Sequence, residues 1–166
     1  MKTTAFFTRM FSWLTGSRLT VDNSVVRELD LDRFMGSWYE VARFDHFFER
    51  GMSQTKANYV LRDDGNIDVI NTGIKNGKPK TAKGKAKLTD IPSLLRVSFF
   101  GPFYSDYRVM LVDADYRYML IGSGSDGYLW ILSRTPQLAD SDRAAILNEA
   151  KSRGYDTDKL IWVKQN

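Results

Sequence analysis

Apolar and polar residues alternate in short segments along most of the chain from Gly36 onward. A period of two residues predicts β-strands, because successive side chains point to opposite faces of a sheet. Turn-forming pairs separate several of these segments, among them Asp64-Gly65 and Asn76-Gly77. Many short strands joined by tight turns are typical of a β-sandwich or a β-barrel.

The alternation predicts eight strands, at residues 38–44, 55–62, 66–72, 81–88, 94–100, 107–112, 118–123 and 129–134. Closing such a sheet removes its free edges, and a closed barrel of about eight strands is just wide enough to hold one small ligand. The sequence therefore predicts an all-β fold, an eight-stranded up-and-down antiparallel β-barrel.

One helix is predicted near the end of the chain, in the segment 141–154. Apolar residues recur there at helical spacing, with Ser141 as the predicted N-cap and Gly154 as the predicted stop. A single apolar stripe suits packing against the outside of the barrel. This position would explain why Leu129 and Ile131, which share one face of the last barrel strand, are both apolar.

The last predicted strand ends in an arginine, and its partner is predicted from the alternation. Trp130, Leu132 and Arg134 share one face. If that face points inward, Arg134 needs a partner, and Trp38 on the neighbouring first strand can meet it at the same end of the barrel. We interpret Gly36, Trp38 and Arg134 as a structural plug, in which the guanidinium stacks on the indole and binds carbonyl oxygens of the N-terminal segment.

The same period predicts which residues line the interior, and the lining is mostly apolar, as small-molecule pockets usually are. The candidate ligand contacts in the strands are Ala57, Tyr59, Val69, Asn71, Gly84, Val97, Phe99, Tyr107, Val109, Leu120, Trp130 and Leu132, with Ala82, Ala86 and Gly122 on the same inward face. Small residues in 81–88 indicate unfilled space, which added bulk at Gly84 would narrow. A filled, dry core is the alternative.

Composition excludes several kinds of site. The chain has no cysteine, which excludes disulfides, thiolate metal sites, a cysteine nucleophile and a lipid attached through cysteine. With one histidine, His46, neither a metal site nor a cofactor is predicted. The net charge is +4, and a cluster of basic residues contributes most of the excess: Lys75, Lys78, Lys80, Lys83, Lys85 and Lys87. Without interleaved aromatic residues this cluster does not predict nucleic-acid binding; a solvated outer face fits it best, and attraction to an anionic membrane second.

Residues 1–26 differ from the predicted domain, which covers 27–166. They contain apolar residues at helical spacing, together with Lys2, Arg9 and Arg18, and no acid before Asp22. An amphipathic helix at a membrane surface would have this pattern. A degenerate export signal, or a helix packed on the domain or on a partner, fits it as well.

Three spaced motifs resemble the signature segments of the lipocalin family: Gly-Ser-Trp at 36–38, DADY at 113–116, and the Ser-Arg of ILSRTP. The longer runs GSWYEVARFDHFFERG, YVLRDDGNIDVINTG, RVSFFGPFY and YLWILSRTP are similar to those of the group that contains the bacterial outer-membrane lipocalins and apolipoprotein D. The resemblance covers about residues 29–165. It does not extend to a cysteine-linked membrane anchor, because this chain has no cysteine.

The resemblance implies noncatalytic binding, and transport or storage, of a small hydrophobic ligand such as a fatty acid or a lysophospholipid. The loop 45–54 would lie across the open mouth, where Phe47 and Phe48 either form an apolar lip over the ligand or pack beneath the loop. A cell-envelope location, periplasmic or membrane-associated, is favoured over the cytoplasm. A homodimer is left open by the sequence.

Two other classes of function compete with carriage, a lipocalin-like isomerase and a membrane-associated barrel that binds proteins. Acid–base chemistry needs titratable groups that converge in the pocket, whereas the predicted lining has only tyrosines and an asparagine. Glu40 is predicted to point inward near the floor. There it is expected to form hydrogen bonds with backbone or tyrosine groups. The sequence therefore favours a protein that is not an enzyme.

Overall fold

Nine strands form one antiparallel sheet in the computed structural model, which describes residues 19–166. In chain order they are β1 (Gly36–Phe44), β2 (Ser53–Leu61), β3 (Ile67–Lys75), β4 (Lys78–Leu88), β5 (Leu94–Phe100), β6 (Phe103–Val112), β7 (Tyr118–Gly122), β8 (Leu129–Ser133) and β9 (Leu160–Trp162). The described part of the chain also forms the helices α1 (Leu31–Phe34) and α2 (Asp140–Ser152) and a 3-10 turn at Thr157–Lys159. Most of the N-terminal segment, residues 1–18, lies outside the described part of the chain.

The first eight strands close into a barrel, which confirms the predicted fold class. Each strand from β2 to β7 pairs with the next one, β8 pairs with β1, and β1 pairs with β2. The loops β1–β2, β3–β4, β5–β6 and β7–β8 therefore lie at one end, which we call the mouth. The connections β2–β3, β4–β5 and β6–β7 lie at the other end, the floor.

A ninth strand, absent from the predicted set, completes the wall at the mouth side. β1 pairs with β2 only between Gly36 and Tyr39, and its last residues, 42–44, pair with β9. The Gln165 side chain then donates to the carbonyl oxygens of Glu40 in β1 and Thr55 in β2. The C-terminal segment thus fills the gap where β1 and β2 separate.

Helix α2 packs on the outside of the barrel, as predicted. Ile146 and Ala150 are fully buried against a cluster that includes Leu129 and Ile131. The predicted N-cap is wrong by two residues, because the helix begins at Asp140 and its N-cap Ala139 makes no side-chain cap hydrogen bond. Its predicted stop lies at the observed end, where Gly154 adopts a φ of 94° that an L side chain rarely allows.

The floor is closed by α1 and by two fully buried aromatic residues, Phe34 and Trp38. Asp30 caps α1 by accepting from the backbone N–H of Arg33. The indole Nε1 of Trp38 donates to the Phe34 carbonyl oxygen at 2.8 Å. The short helix is therefore tied to β1 directly above it.

Arg134 lies across this floor, as the alternation predicts. Its guanidinium carbon is 3.7 Å from the centroid of the Trp38 ring. Nη1 donates to the Ser37 carbonyl, and Nη2 donates to the carbonyls of Arg33 and Met35. The side chain is partly exposed rather than buried, because it covers the indole from the solvent side.

Residues 19–26 run along the barrel from the mouth to the floor. At the mouth, the Thr20 hydroxyl donates to Asp126 in the β7–β8 loop. Farther on, the Val26 N–H donates to the Val109 carbonyl, and at the floor the Asp30 N–H donates to the Tyr116 hydroxyl. The ordered contacts with the barrel thus begin before residue 27.

We expect Arg134→Ala to lower the free energy of unfolding by about 1–3 kcal/mol, because it removes the stack and leaves three carbonyl acceptors without this donor. Urea unfolding measures the loss. Arg143 provides a matched control, since its guanidinium carbon lies 3.6 Å from the Trp162 ring centroid on the outer surface. Arg143→Ala should cost about 0.5–1 kcal/mol; equal losses would contradict a role for the carbonyl bonds of Arg134.

Candidate functional site at the barrel mouth

The barrel interior is tightly packed at the floor and solvent-accessible farther up. The fully or almost fully buried residues of the floor are Phe34, Trp38, Ile67, Leu95, Met119 and Ile121. Above them, several inward-facing residues keep part of their surface exposed: Asn71, Gly84, Val97, Phe99, Tyr107 and Trp130. The interior is therefore an open bowl on a solid base.

Most of the predicted lining residues face this bowl or its base. Ala57, Tyr59, Val69, Val109 and Leu132 belong to the interior cluster and are nearly or fully buried. The Tyr59 and Tyr107 hydroxyls are hydrogen-bonded at 2.9 Å, and Phe34 stacks on Tyr59 with ring centroids 4.8 Å apart. The polar groups of these two tyrosines are thus turned toward each other at the base.

Leu120 does not line the interior, and this prediction is wrong. In the β7–β8 pairing, Leu120 lies opposite the outward Ile131, whereas Ile121 lies opposite the inward Trp130. The predicted inward position of Gly122 fails for the same reason. All residues of β7 except Tyr118 are buried, because α2 and the C-terminal segment cover the outer face. Because both faces of β7 are buried, alternation alone does not show which face is the inner one.

The space predicted beside Gly84 is occupied by an aromatic ring. A Cβ atom at Gly84 would lie 2.7 Å from the Phe99 ring and 2.6 Å from the Ser98 carbonyl oxygen. Added bulk there would displace backbone, so a larger residue at Gly84 would disturb the fold as well as narrow the bowl. Ala82, one step nearer the mouth on the same face, is exposed and can accept a larger side chain.

A cluster of four buried charged or titratable residues lies where β1 meets the β1–β2 loop: Glu40, Arg43, His46 and Glu49. The register of β1 shifts between Glu40 and Ala42, so Glu40 lies opposite Leu132 and Arg43 opposite Trp130. Both charged residues consequently face inward. The loop adds the other two side chains from above.

Arg43 is the centre of this cluster and is only 1% exposed. Its Nη1 donates to Glu40 Oε1 at 3.0 Å, and its Nη2 donates to the backbone carbonyls of Glu49 and Met52. Its Nε lies 3.6 Å from Glu49 Oε2. The guanidinium therefore holds the β1–β2 loop over the edge of the bowl.

His46 links the charged cluster to the aromatic residues of the mouth. Its Nε2 is 3.1 Å from Glu49 Oε2. Its ring centroid is 3.8 Å from that of Phe48 and 5.6 Å from those of Tyr128 and Trp130. Phe48 thus packs at the mouth with part of its ring exposed, and Phe47 contacts it edge-on with ring centroids 5.5 Å apart.

The two carboxyl groups of the cluster have opposite pKa shifts. Burial, with the nearby Glu49 charge, raises the pKa of Glu40 well above its usual value despite the Arg43 contact. Burial also raises the pKa of Glu49, but hydrogen bonding and charge from His46, with Glu40 and Arg43, outweigh it and hold this pKa low. Glu40 therefore keeps its proton where Glu49 is ionised, and one carboxylate faces the Arg43 cation.

Sequence reasoning missed Arg43, since strict alternation from Trp38 turns it outward. The signal was available, because a cation between Ala42 and Phe44 would stand out on an outer face that is otherwise apolar. The register shift in β1 resolves this conflict. In the described residues, no three His, Cys, Asp or Glu side chains converge in a way that could hold a metal ion.

We expect Glu40→Gln to flatten the pH dependence of stability above about pH 4.5. Above its usual pKa, Glu40 of the unfolded chain releases its proton while the folded protein retains it. The folded state consequently loses stability as pH rises. Glutamine stays neutral and still offers an oxygen to Arg43.

Urea unfolding of both proteins between pH 5 and 9, at constant ionic strength, measures this effect. The variant should gain stability relative to the wild type as pH rises. If the free energies of unfolding of the two proteins changed in parallel with pH, that result would contradict a retained proton on Glu40. Asp45→Asn is a suitable control, because the exposed Asp45 pairs with Arg50 on the loop surface.

Comparison with known proteins agrees with the resemblance of the sequence motifs. The family model described as a lipocalin-like domain matches residues 29–165. The outer membrane lipoprotein Blc of Citrobacter freundii is 49% identical over 146 residues, which cover 86% of this chain and 82% of that protein. Its Vibrio cholerae counterpart is 42% identical over 168 residues, covering 97% and 98%. Mouse apolipoprotein D is 30% identical over 152 residues, covering 85% and 79%.

Solved structures share the fold at lower identity. Lobster apocrustacyanin A1 superposes with a TM-score of 0.71 at 20% identity, covering 91% of this chain and 89% of that one. Insecticyanin from the tobacco hornworm gives a TM-score of 0.69 at 22% identity, with coverages of 85% and 83%. At these identities, the two structural similarities support the barrel topology and no shared function.

Proposed function

Since this chain belongs to the lipocalin family, we propose that its barrel binds and carries a single-chain lipid, a fatty acid or a lysophospholipid, without chemically changing it. The tail enters the bowl and the headgroup stays near the mouth. The observation that supports this most directly is the set of inward-facing apolar residues that remain accessible above a solid floor.

The free energy of binding comes mainly from the tail. Each methylene removed from water contributes about 0.8 kcal/mol. Phe99 and Trp130 offer apolar ring surface toward the mouth, and Val97 continues the wall below them. Affinity should therefore depend more on chain length than on the headgroup.

The interior chemistry favours carriage over isomerisation. Burial raises the pKa of Tyr59 and of Tyr107, so both phenols stay neutral and bond to each other. Glu40, the inward carboxyl nearest to them in the cluster, is held by Arg43. A general base needs a free approach to its substrate, which these paired groups do not offer.

A cell-envelope location fits the bacterial relatives, whose names describe outer membrane lipoproteins. Without a cysteine, this chain would reach a membrane surface through its basic and apolar N-terminal segment. Within residues 19–166, no helix is both long and apolar enough to cross a bilayer.

Affinity for fatty acids and lysophospholipids should rise with tail length until the bowl is full, and it should vary less between headgroups. Titration followed by tryptophan fluorescence measures both trends. Trp130→Ala should weaken binding and remove most of the signal, whereas Trp130→Phe should keep most of the affinity and lose the signal. Absence of binding by any apolar ligand would contradict carriage and favour a barrel that binds proteins.

The same titration tests where the tail lies. Ala82→Leu should lower the longest chain length accepted, because residue 82 faces inward opposite Asn71. Thr81→Leu is the matched control, since the neighbouring side chain points outward and is exposed. If both variants accepted the same longest chain length, the tail would not lie beside residue 82.

Deletion of residues 1–18 should preserve lipid binding in solution and reduce sedimentation with vesicles that contain anionic phospholipid. Both apolar area and basic charge contribute to binding at a membrane interface. The deletion stops at residue 18 because Thr20 and Val26 contact the barrel. Equal sedimentation of the two proteins would contradict the proposed role of this segment.

A further inference from the structure

The tip of the β5–β6 hairpin presents two large aromatic side chains at the mouth. Phe100 and Phe103 flank the Gly101-Pro102 turn and lie opposite each other in the strand pairing. Their exposed fractions are 73% and 58%, the highest and the joint second highest for a large apolar residue in the described chain. Exposed apolar residues that lie side by side, as these two do, can mark an interaction surface.

The neighbouring β1–β2 loop adds two more phenylalanines to the same end of the barrel. Phe47 is 58% exposed and Phe48 is 40% exposed, although the two rings contact each other. Aromatic surface thus occurs at two separate points of the rim rather than in one patch on the wall.

The β3–β4 hairpin, between these two aromatic points, contributes positive charge. Lys75 pairs with Lys78, and the exposed Lys80 lies opposite Gly73 on the inward side of the hairpin. Register pairing of β4 with β5 extends only from Leu88 to Lys85, so this hairpin projects beyond its β5 neighbour. Its lysines stand clear of the barrel wall.

Three acids at this end have a polar partner. Asp45 is 3.0 Å from Arg50, Asp126 accepts from the Thr20 hydroxyl, and Glu49 lies in the buried cluster. Asp126 lies in the β7–β8 loop, across the mouth from the β3–β4 hairpin, and no acid occurs between Asp68 and Asp90. The β3–β4 side of the rim therefore carries an excess of positive charge. Thr20 also places the start of the described chain at the mouth.

We infer that the mouth rim, defined as Phe47, Phe48, Lys75, Lys78, Lys80, Phe100 and Phe103, docks on the surface of an anionic phospholipid bilayer. Phenylalanine rings can bury their apolar surface at a membrane interface, and lysines nearby are attracted to anionic headgroups. Charge also distinguishes the bilayer from a second copy of this chain, because two facing rims would bring lysines against lysines.

This orientation would turn the open bowl toward the bilayer, so that a lipid could pass between the two without crossing bulk water. That consequence rests on the proposed carriage of a lipid. The docking itself does not, since it depends only on the outer surface of the rim. The two proposals can consequently fail independently.

The test uses the full chain and vesicles of phosphatidylcholine with and without phosphatidylglycerol at low salt. Phe100→Ser/Phe103→Ser and Lys78→Gln/Lys80→Gln should each weaken partitioning onto anionic vesicles, by about fivefold per lysine removed and by a similar factor for the aromatic pair. High salt should weaken the wild type and abolish the difference made by the lysines.

Matched controls carry the same changes elsewhere. Val60→Ser/Ile91→Ser removes exposed apolar residues at the floor end, and Lys83→Gln/Lys87→Gln removes the same charge from the outward face of β4. Both controls should partition as the wild type does. Thermal unfolding verifies that every variant is folded, and titration with a soluble lysophospholipid checks that the bowl is unaffected.

Three results would overturn the inference. Rim variants that partition like the wild type would exclude the rim, as would controls that lose as much binding as the rim variants. A change in the oligomeric state of the aromatic rim variant, measured by sedimentation equilibrium, without a change in partitioning would assign the rim to a second copy of the chain. Loss of lysophospholipid binding with intact partitioning would contradict carriage and leave docking supported.

Discussion

A guanidinium that is removed from water must be surrounded by oxygen atoms, and Arg43 imposes this requirement on the mouth of the barrel. Its partners come from β1 and from the following loop, so these contacts hold the loop in the conformation that presents its carbonyls to the guanidinium. Arg134 has a related role at the floor, where it binds the carbonyls that precede β1. One arginine thus organises each end of the barrel, and the apolar interior lies between them.

Much of the fold could be predicted from the sequence because each element is marked by local chemistry. The dipeptides Asp64-Gly65 and Asn76-Gly77 mark hairpins, and the alternation in β8 assigns Trp130 to the interior. The strand β7 was predicted, but its inner face was assigned wrongly because its outer face is as apolar as its inner face. The short β9 has too few residues to show a period and becomes a strand only through its pairing with β1.

The site was only partly predictable because side-chain geometry decides it. Alternation identifies Gly84 and Phe99 as inward residues, but it does not show that the ring of one fills the space left by the other. The register shift in β1, which turns Arg43 inward, depends on long-range pairing; the local pattern shows only that a cation at residue 43 conflicts with strict alternation. The inward-facing wall residues follow largely from the sequence, whereas the contact of Arg43 with the β1–β2 loop follows from the tertiary structure.

The C-terminal closure of the wall has a consequence for how this protein is made. During synthesis, β1 and β2 emerge early, but the gap between them is filled by residues 160–165, more than a hundred positions later along the chain. Until those residues leave the ribosome, the nascent barrel retains unpaired strand edges and an incomplete wall. Vectorial synthesis therefore sets the order of assembly, and a stalled or shortened nascent chain would be a natural client for chaperones that protect open β-sheet edges.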